Sequence, residues 1–222
     1  MIRHKDATTG HASARLRLPA AQRRGLVLEA ATQAFAEHGY EGASIGQIAE
    51  RAGVVASVVY DHFGSKRALY VELLASHART LIEHTTKPRP SESPQQLFEA
   101  NIEAFYRFVE AYPFVWRMIF RDPPADTQIA AAHREIQRGA SDAIAVLIAS
   151  VRPAEQLIPG IARDQANTML AEGITALNNG LAGWWYEHRE TPREQVLAVV
   201  HVLLWTGLQH LAAPSQSPSS SA

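Results

Sequence analysis

Residues 44–63 read SIGQIAERAGVVASVVYDHF, and this stretch decides the fold. Ser44 and Gln47 have the spacing of a capping box, in which the serine caps a helix and the glutamine reaches back to the cap amide. Ile45, Ile48 and Ala49 give an apolar face to a first short helix, and Val54, Val58 and Val59 give one to a second. Ala52-Gly53-Val54 divides them. Glycine there supplies the freedom for a sharp turn, and Ala49 is small where two helices must cross closely. Short helix, tight turn and short helix is the spacing of a helix-turn-helix, whose second helix lies in the DNA major groove.

Helical periodicity extends outward from this motif in both directions. Leu26, Ala30, Ala34 and Phe35 recur at three and four residues until Gly39 ends the run. Ser93-Pro-Gln-Gln96 and Thr191-Pro-Arg-Glu194 repeat the capping box with proline at the first helical position. Amphipathic stripes follow both, through Leu97, Phe98, Ile102, Phe105 and Phe108 and through Val196, Val199, Val200, Leu203 and Leu204. Residues 126–150 and 164–188 read as long helices, with Asp122-Pro123-Pro124 as a break before the first. No period-two segment competes, so the chain reads as all-α with about nine helices. Lys87–Pro94 (KPRPSESP) marks a loop, and residues 213–222, rich in Ser and Pro, read as a disordered tail.

Composition sets the outer bounds. The 222 residues are 46% hydrophobic and 19% charged, enough apolar mass for a sizeable core. Cysteine is absent, which removes disulfides, thiolate metal sites and cysteine nucleophiles. No apolar run is long enough for a membrane span and no secretory signal is visible, so a cytoplasmic protein without a membrane partner is expected. The net charge of -1 conceals an asymmetry, because residues 1–80 carry ten Lys+Arg against seven Asp+Glu. In the first 24 residues, Arg3, Lys5, Arg15, Arg17, Arg23 and Arg24 face only Asp6. Residues 1–20 therefore read as a basic flexible arm able to reach phosphates.

From Arg23 to Leu74 the landmarks accumulate: Phe35, His38-Gly39-Tyr40, Gly42-Ala43-Ser44, Ala52-Gly53-Val54, Tyr60-Asp-His-Phe63, Ser65-Lys66 and Leu69. This run resembles the N-terminal DNA-binding domain of the TetR family of transcriptional regulators. The resemblance implies a homodimer, with residues 21–84 as a three-helix DNA-binding domain plus connecting helix. Residues 85–212 would form a larger ligand-binding and dimerisation domain. It further implies a repressor that binds double-stranded operator DNA and is released by a small-molecule effector. Ser44, Tyr60, His62 and Lys66 would contact phosphates.

The recognition helix departs from the family pattern. Val55 stands where Ser or Thr often caps it, and Ala56, Ser57 and Asp61 replace the usual long hydrogen-bonding side chains. These four would face the bases, with methyl contacts, one hydroxyl and one carboxylate, so affinity is expected to lean on phosphates and DNA shape. Such a base-poor helix keeps open an alternative, a helical ligand-binding or interaction protein with weak or lost operator binding.

In the body, aromatic residues crowd the region from Phe105 to Phe120. The resemblance places a ligand site among these helices. Asn101 and His133 stand on apolar stripes, where a ligand group would satisfy them. The expected ligand-binding residues are Asn101, Phe105, Phe108, Trp116, His133, Asn178 and Trp185. Leu177, Leu181, Trp184, Leu204, Trp205 and Leu208 are expected at a dimer interface, where Gly173, Gly180, Gly183 and Gly207 would allow close helix approach. No catalytic motif, metal-ligand cluster or phosphate loop is present, so neither enzyme activity nor a cofactor is expected.

Overall fold

The computed structural model describes residues 19–86, 93–151 and 160–206. Nine α-helices occur among them: α1 (Ala20–Gly42), α2 (Ile45–Arg51), α3 (Ala56–Phe63), α4 (Lys66–Thr85), α5 (Pro94–Ala111), α6 (Pro113–Phe120), α7 (Thr127–Val151), α8 (Arg163–Glu187) and α9 (Arg193–Val200). A π-helical turn, His201–Trp205, continues α9, and the described residues contain no strand. The arm residues Arg3, Lys5, Arg15 and Arg17, most of the KPRPSESP segment, Gly207, Leu208 and the tail lie outside the described residues.

The helix boundaries have local causes. Gly39, at φ 67, interrupts α1 one turn before its end. Gly53, also at φ 67, turns the chain between α2 and α3, a left-handed conformation that costs glycine nothing. Ser44 and Gln47 form the capping box of α2, and Ser93 and Gln96 that of α5. The box expected at Thr191 does not form. There α9 begins one residue later, after Pro192, and its N-cap makes no side-chain hydrogen bond. The Thr191 carbonyl accepts from the Trp185 indole at 2.8 Å, which holds this turn to α8 instead.

One apolar core joins α1 through α4, with Val27, Ala31, Phe35, Ile48, Val59, Leu69 and Leu74 buried. It does not stop at the head: Val115, Met118 and Ile119 of α6 and Ile129 of α7 belong to the same cluster. A second cluster, around Tyr106, Trp116, Trp185, Val196 and Val200, binds α5, α6, α8 and α9 together. Burying each large side chain of this kind contributes about 1.5–3 kcal/mol. Helix α4 packs on α1 and α3 at one end and on α5, α6 and α7 further along, so head and body share it.

Candidate DNA-binding face and effector cavity

Helix α3 buries Val59 and Phe63 and turns its other face to solvent. Val55 (66% exposed) and Tyr60 (51%) stand out from it, with Ala56, Ser57 and Asp61 exposed beside them and His62 half-buried. The expected base-reading residues thus share one open surface. No side chain caps α3 at Val55, as its residue type dictates.

Two of the expected phosphate contacts, Ser44 and Lys66, already hold hydrogen-bond partners. The Ser44 amide donates to Gln47 Oε1 at 2.9 Å, Ser44 Oγ accepts from the Gln47 amide at 3.2 Å, and the hydroxyl donates to Gln47 Oε1 at 3.0 Å. A serine has one proton to give, so donation to a phosphate would break that bond. Lys66 Nζ donates to the carbonyls of Tyr40 (2.8 Å), Ala43 (3.2 Å) and, at 3.5 Å, Glu41, and sits 4.5 Å from the centre of the Tyr40 ring. Its charge secures the end of α1, where unpaired carbonyls favour a cation. The His62 ring lies against Phe63, 6.1 Å between centres. Tyr60 alone of the group is exposed with its hydroxyl unpaired.

Charge in the helical head is balanced. Between residues 19 and 80 six Lys+Arg meet six Asp+Glu, so the basic excess of the first 80 residues resides in the arm. Several head cations are paired: Arg24 with Glu72 and, over its ring, Phe63, and Arg51 with both oxygens of Glu37 at 3.0 and 2.7 Å. The hydrogen bond from Arg51 holds the Glu37 carboxyl below its usual range. Arg67 reaches the body instead, donating to Asp126 at 2.7 Å and to Gln128 at 3.1 Å. Burial would raise the Asp126 pKa, but the Ile129 and Gln128 amides and Arg67 outweigh it and lower it.

The body contains an apolar cavity of about 180 Å³, partly open to solvent. Leu81, Ile82 and Thr85 of α4 and its C-cap Thr86 form one wall, and Leu97, Phe98, Asn101, Ile102 and Phe105 of α5 another. Phe120, Ile144, Leu147, Ile148, Leu170, Ile174, Thr175, Asn178, Asn179 and Trp205 complete it with Pro94 and Ala140. Three polar side chains on this lining hold buried atoms without partners: both amide atoms of Asn101, Asn178 Oδ1 and Thr175 Oγ1. Each such group costs about 1–3 kcal/mol when left unmade.

Of the seven expected ligand residues, Asn101, Phe105 and Asn178 line the cavity. The other four do not. Trp116 is buried with its indole donating to Asn179 at 3.0 Å, and Trp185 is committed to Thr191. Phe108 packs against Tyr112, and the buried His133 ring pairs with the Ile119 carbonyl at 3.2 Å. Thr175 and the α4 residues were missed, because an apolar stripe reads alike whether it meets a cavity or a core.

The expected interface set also divides. Trp184 is exposed (47%) and stacked on His188, while Leu177 is half-buried. Leu181 and Leu204 pack inward on the second cluster. Trp205, half-buried, lines the cavity with its ring tilted on Phe98 at 5.6 Å, at the end of the π turn. Met169, Val199, Val202 and Leu203 are the further large apolar residues exposed on α8, α9 and the turn. Gly173 and Gly180 face open space, whereas a Cβ on Gly183 would meet Arg121 at 3.3 Å.

A helix-turn-helix head joined through a shared helix to a hollow helical body defines a one-component transcriptional regulator. Residues 27–73 match the family described as bacterial regulatory proteins, tetR family, and residues 88–220 match the tetracyclin repressor-like C-terminal domain. The transcriptional activator FasR of Mycolicibacterium smegmatis is 31% identical over 198 residues, 88% of this chain and 87% of that one. The transcriptional repressor KstR2 of Mycobacterium tuberculosis is 36% identical over 89 residues, 37% of this chain and 44% of that one. A TetR-like regulator from Rhodococcus sp. RHA1 superposes with a TM-score of 0.67 at 21% identity, covering 87% of this chain and 99% of that one. The chain belongs to the TetR family. Members of that family are DNA-binding transcriptional regulators and not enzymes.

Proposed function

We propose that the protein is a homodimer that binds operator DNA through α3 and the basic arm and is released when an apolar small molecule enters the cavity. The observation that carries this reading is the double duty of α4. Its first turn grips the head, through Lys66 on the α1 carbonyls, while its last turns and C-cap supply Leu81, Ile82, Thr85 and Thr86 to the cavity wall. A molecule that spreads this wall tilts α4 and carries α3 with it. Two recognition helices fit successive major grooves only at about 34 Å or a multiple, so a small tilt spoils the fit.

The exposed apolar residues on α8 and α9, Met169, Trp184, Val199, Val202 and Leu203, support dimerisation through these helices. The bound dimer represses or activates according to operator position: across a promoter it represses, so that release permits transcription, and upstream it can activate. Operator binding places the working protein with the bacterial chromosome, in the cytoplasm.

Footprinting on the DNA flanking the gene tests the reading. A saturable, salt-sensitive preference over random DNA, lost on adding an apolar effector, is expected. Binding no better than to random DNA would remove the operator claim.

A further inference from the structure

We propose that the effector is an uncharged molecule whose apolar body carries one neutral group with both a donor and an acceptor, a hydroxyl or an amide, seated between Asn101 and the Thr175–Asn178 turn. This rests on the cavity being the effector site. Asn101 is 8% exposed and Asn178 6%, yet neither amide is satisfied. Asn178 Nδ2 donates to the Ile174 carbonyl at 2.9 Å, and only the nitrogen can do so. That bond fixes the amide orientation and leaves Oδ1, an acceptor, unpaired at the lining. Asn101, across the cavity on α5, has both its NH2 and its oxygen unpaired. Thr175 Oγ1 lies one helical turn before Asn178 and is unpaired as well. The free capacity is therefore mixed, with amide donors and acceptors on one side and acceptor plus hydroxyl on the other.

Charge selects against the alternatives. Among the described residues no Lys, Arg, His, Asp or Glu lines the cavity. A carboxylate, phosphate or ammonium seated against Asn101 and Asn178 would lose hydration with no charged side chain among the described lining residues to replace it. A wholly apolar molecule would leave Asn101, Asn178 and Thr175 as they stand, unsatisfied. A hydroxyl or amide gives to one side and receives from the other, at no charge-burial cost.

A matched ten-carbon set tests this on the full-length dimer: 1-decanol, decanamide, decyl methyl ether and decanoate at pH 8, each titrated by calorimetry. The alcohol and amide are expected to bind about tenfold or more tighter than the ether, and decanoate weakest. Asn101→Leu should erase the preference for alcohol over ether while ether binding persists, which shows that the variant is folded. Decanoate binding as tightly as decanol, or an alcohol-to-ether ratio unchanged by Asn101→Leu, overturns the inference but leaves the effector reading intact. Failure of all four to bind overturns the cavity as effector site, and this inference with it.

Discussion

The head and the body are built from the same helical periodicity and differ in what fills their centres. In the head, Phe35, Ile48, Val59, Leu69 and Leu74 close on one another in a single buried cluster. In the body, stripes of the same composition stand apart around a cavity, and three polar side chains on its wall lack partners. A solid centre holds α3 at a fixed angle to α1 and α2. A hollow one leaves stabilisation to be supplied by whatever enters it.

The most direct way to break this comparison is to truncate one apolar side chain in each region. Leu74→Ala, in the closed core, should cost about 2–5 kcal/mol, while Ile144→Ala, on the cavity wall, should cost near the transfer term alone, about 1–2 kcal/mol. Denaturant unfolding of the two variants measures the difference, and equal losses would mean that the body is as closed as the head. Next in size is Lys66→Met. With three carbonyls losing their cation, the DNA-free protein should lose about 1–3 kcal/mol in the same assay. Unchanged stability with a shallower salt dependence of DNA binding would return Lys66 to phosphate contact. Tyr60→Phe should weaken binding by about 1 kcal/mol on every DNA sequence alike, leaving stability untouched. A loss confined to one operator would make Tyr60 a base reader.

The smallest effect compares the regions through one histidine each. Burial lowers the pKa of His77 in the head, whose Nε2 lies 3.2 Å from Thr32 Oγ1. Burial also lowers that of His133 in the body, partly opposed by the Ile119 carbonyl. Both bind a proton less readily in the folded state, so the unfolded chain takes up protons first as pH falls. Stability is therefore full above the ordinary histidine value of 6.5 and declines below it. The double variant His77→Gln/His133→Gln should flatten that decline in thermal melts; an unaltered slope would assign it to other groups.

Much of this contrast was legible in the sequence, though unevenly. The head could be read residue by residue, because its turn at Gly53, its box at Ser44 and its break at Gly39 are local devices that act within a few residues. Asn101, which lines the cavity, stood out too, since an amide on an apolar stripe is anomalous wherever the stripe points. What sequence periodicity does not encode is the distance between stripes. Phe105 and Phe108 belong to one apolar run, yet only Phe105 reaches the cavity. Nor does periodicity show that Trp205 reaches the cavity lining, or that Lys66 meets carbonyls more than twenty positions upstream. The charge count misled in a subtler way, crediting to the head a basic excess that its helices do not hold.

Helix α4 has 20 residues, roughly 30 Å of nearly rigid rod. A tilt of about 5° at its cavity end displaces the other end by roughly 3 Å, and two subunits moving oppositely double that. On the proposed mechanism, the helix is a gear that sets the ratio between ligand size and groove mismatch. Substitutions along its middle would alter that ratio, so responsiveness could evolve while pocket and reading face stay as they are.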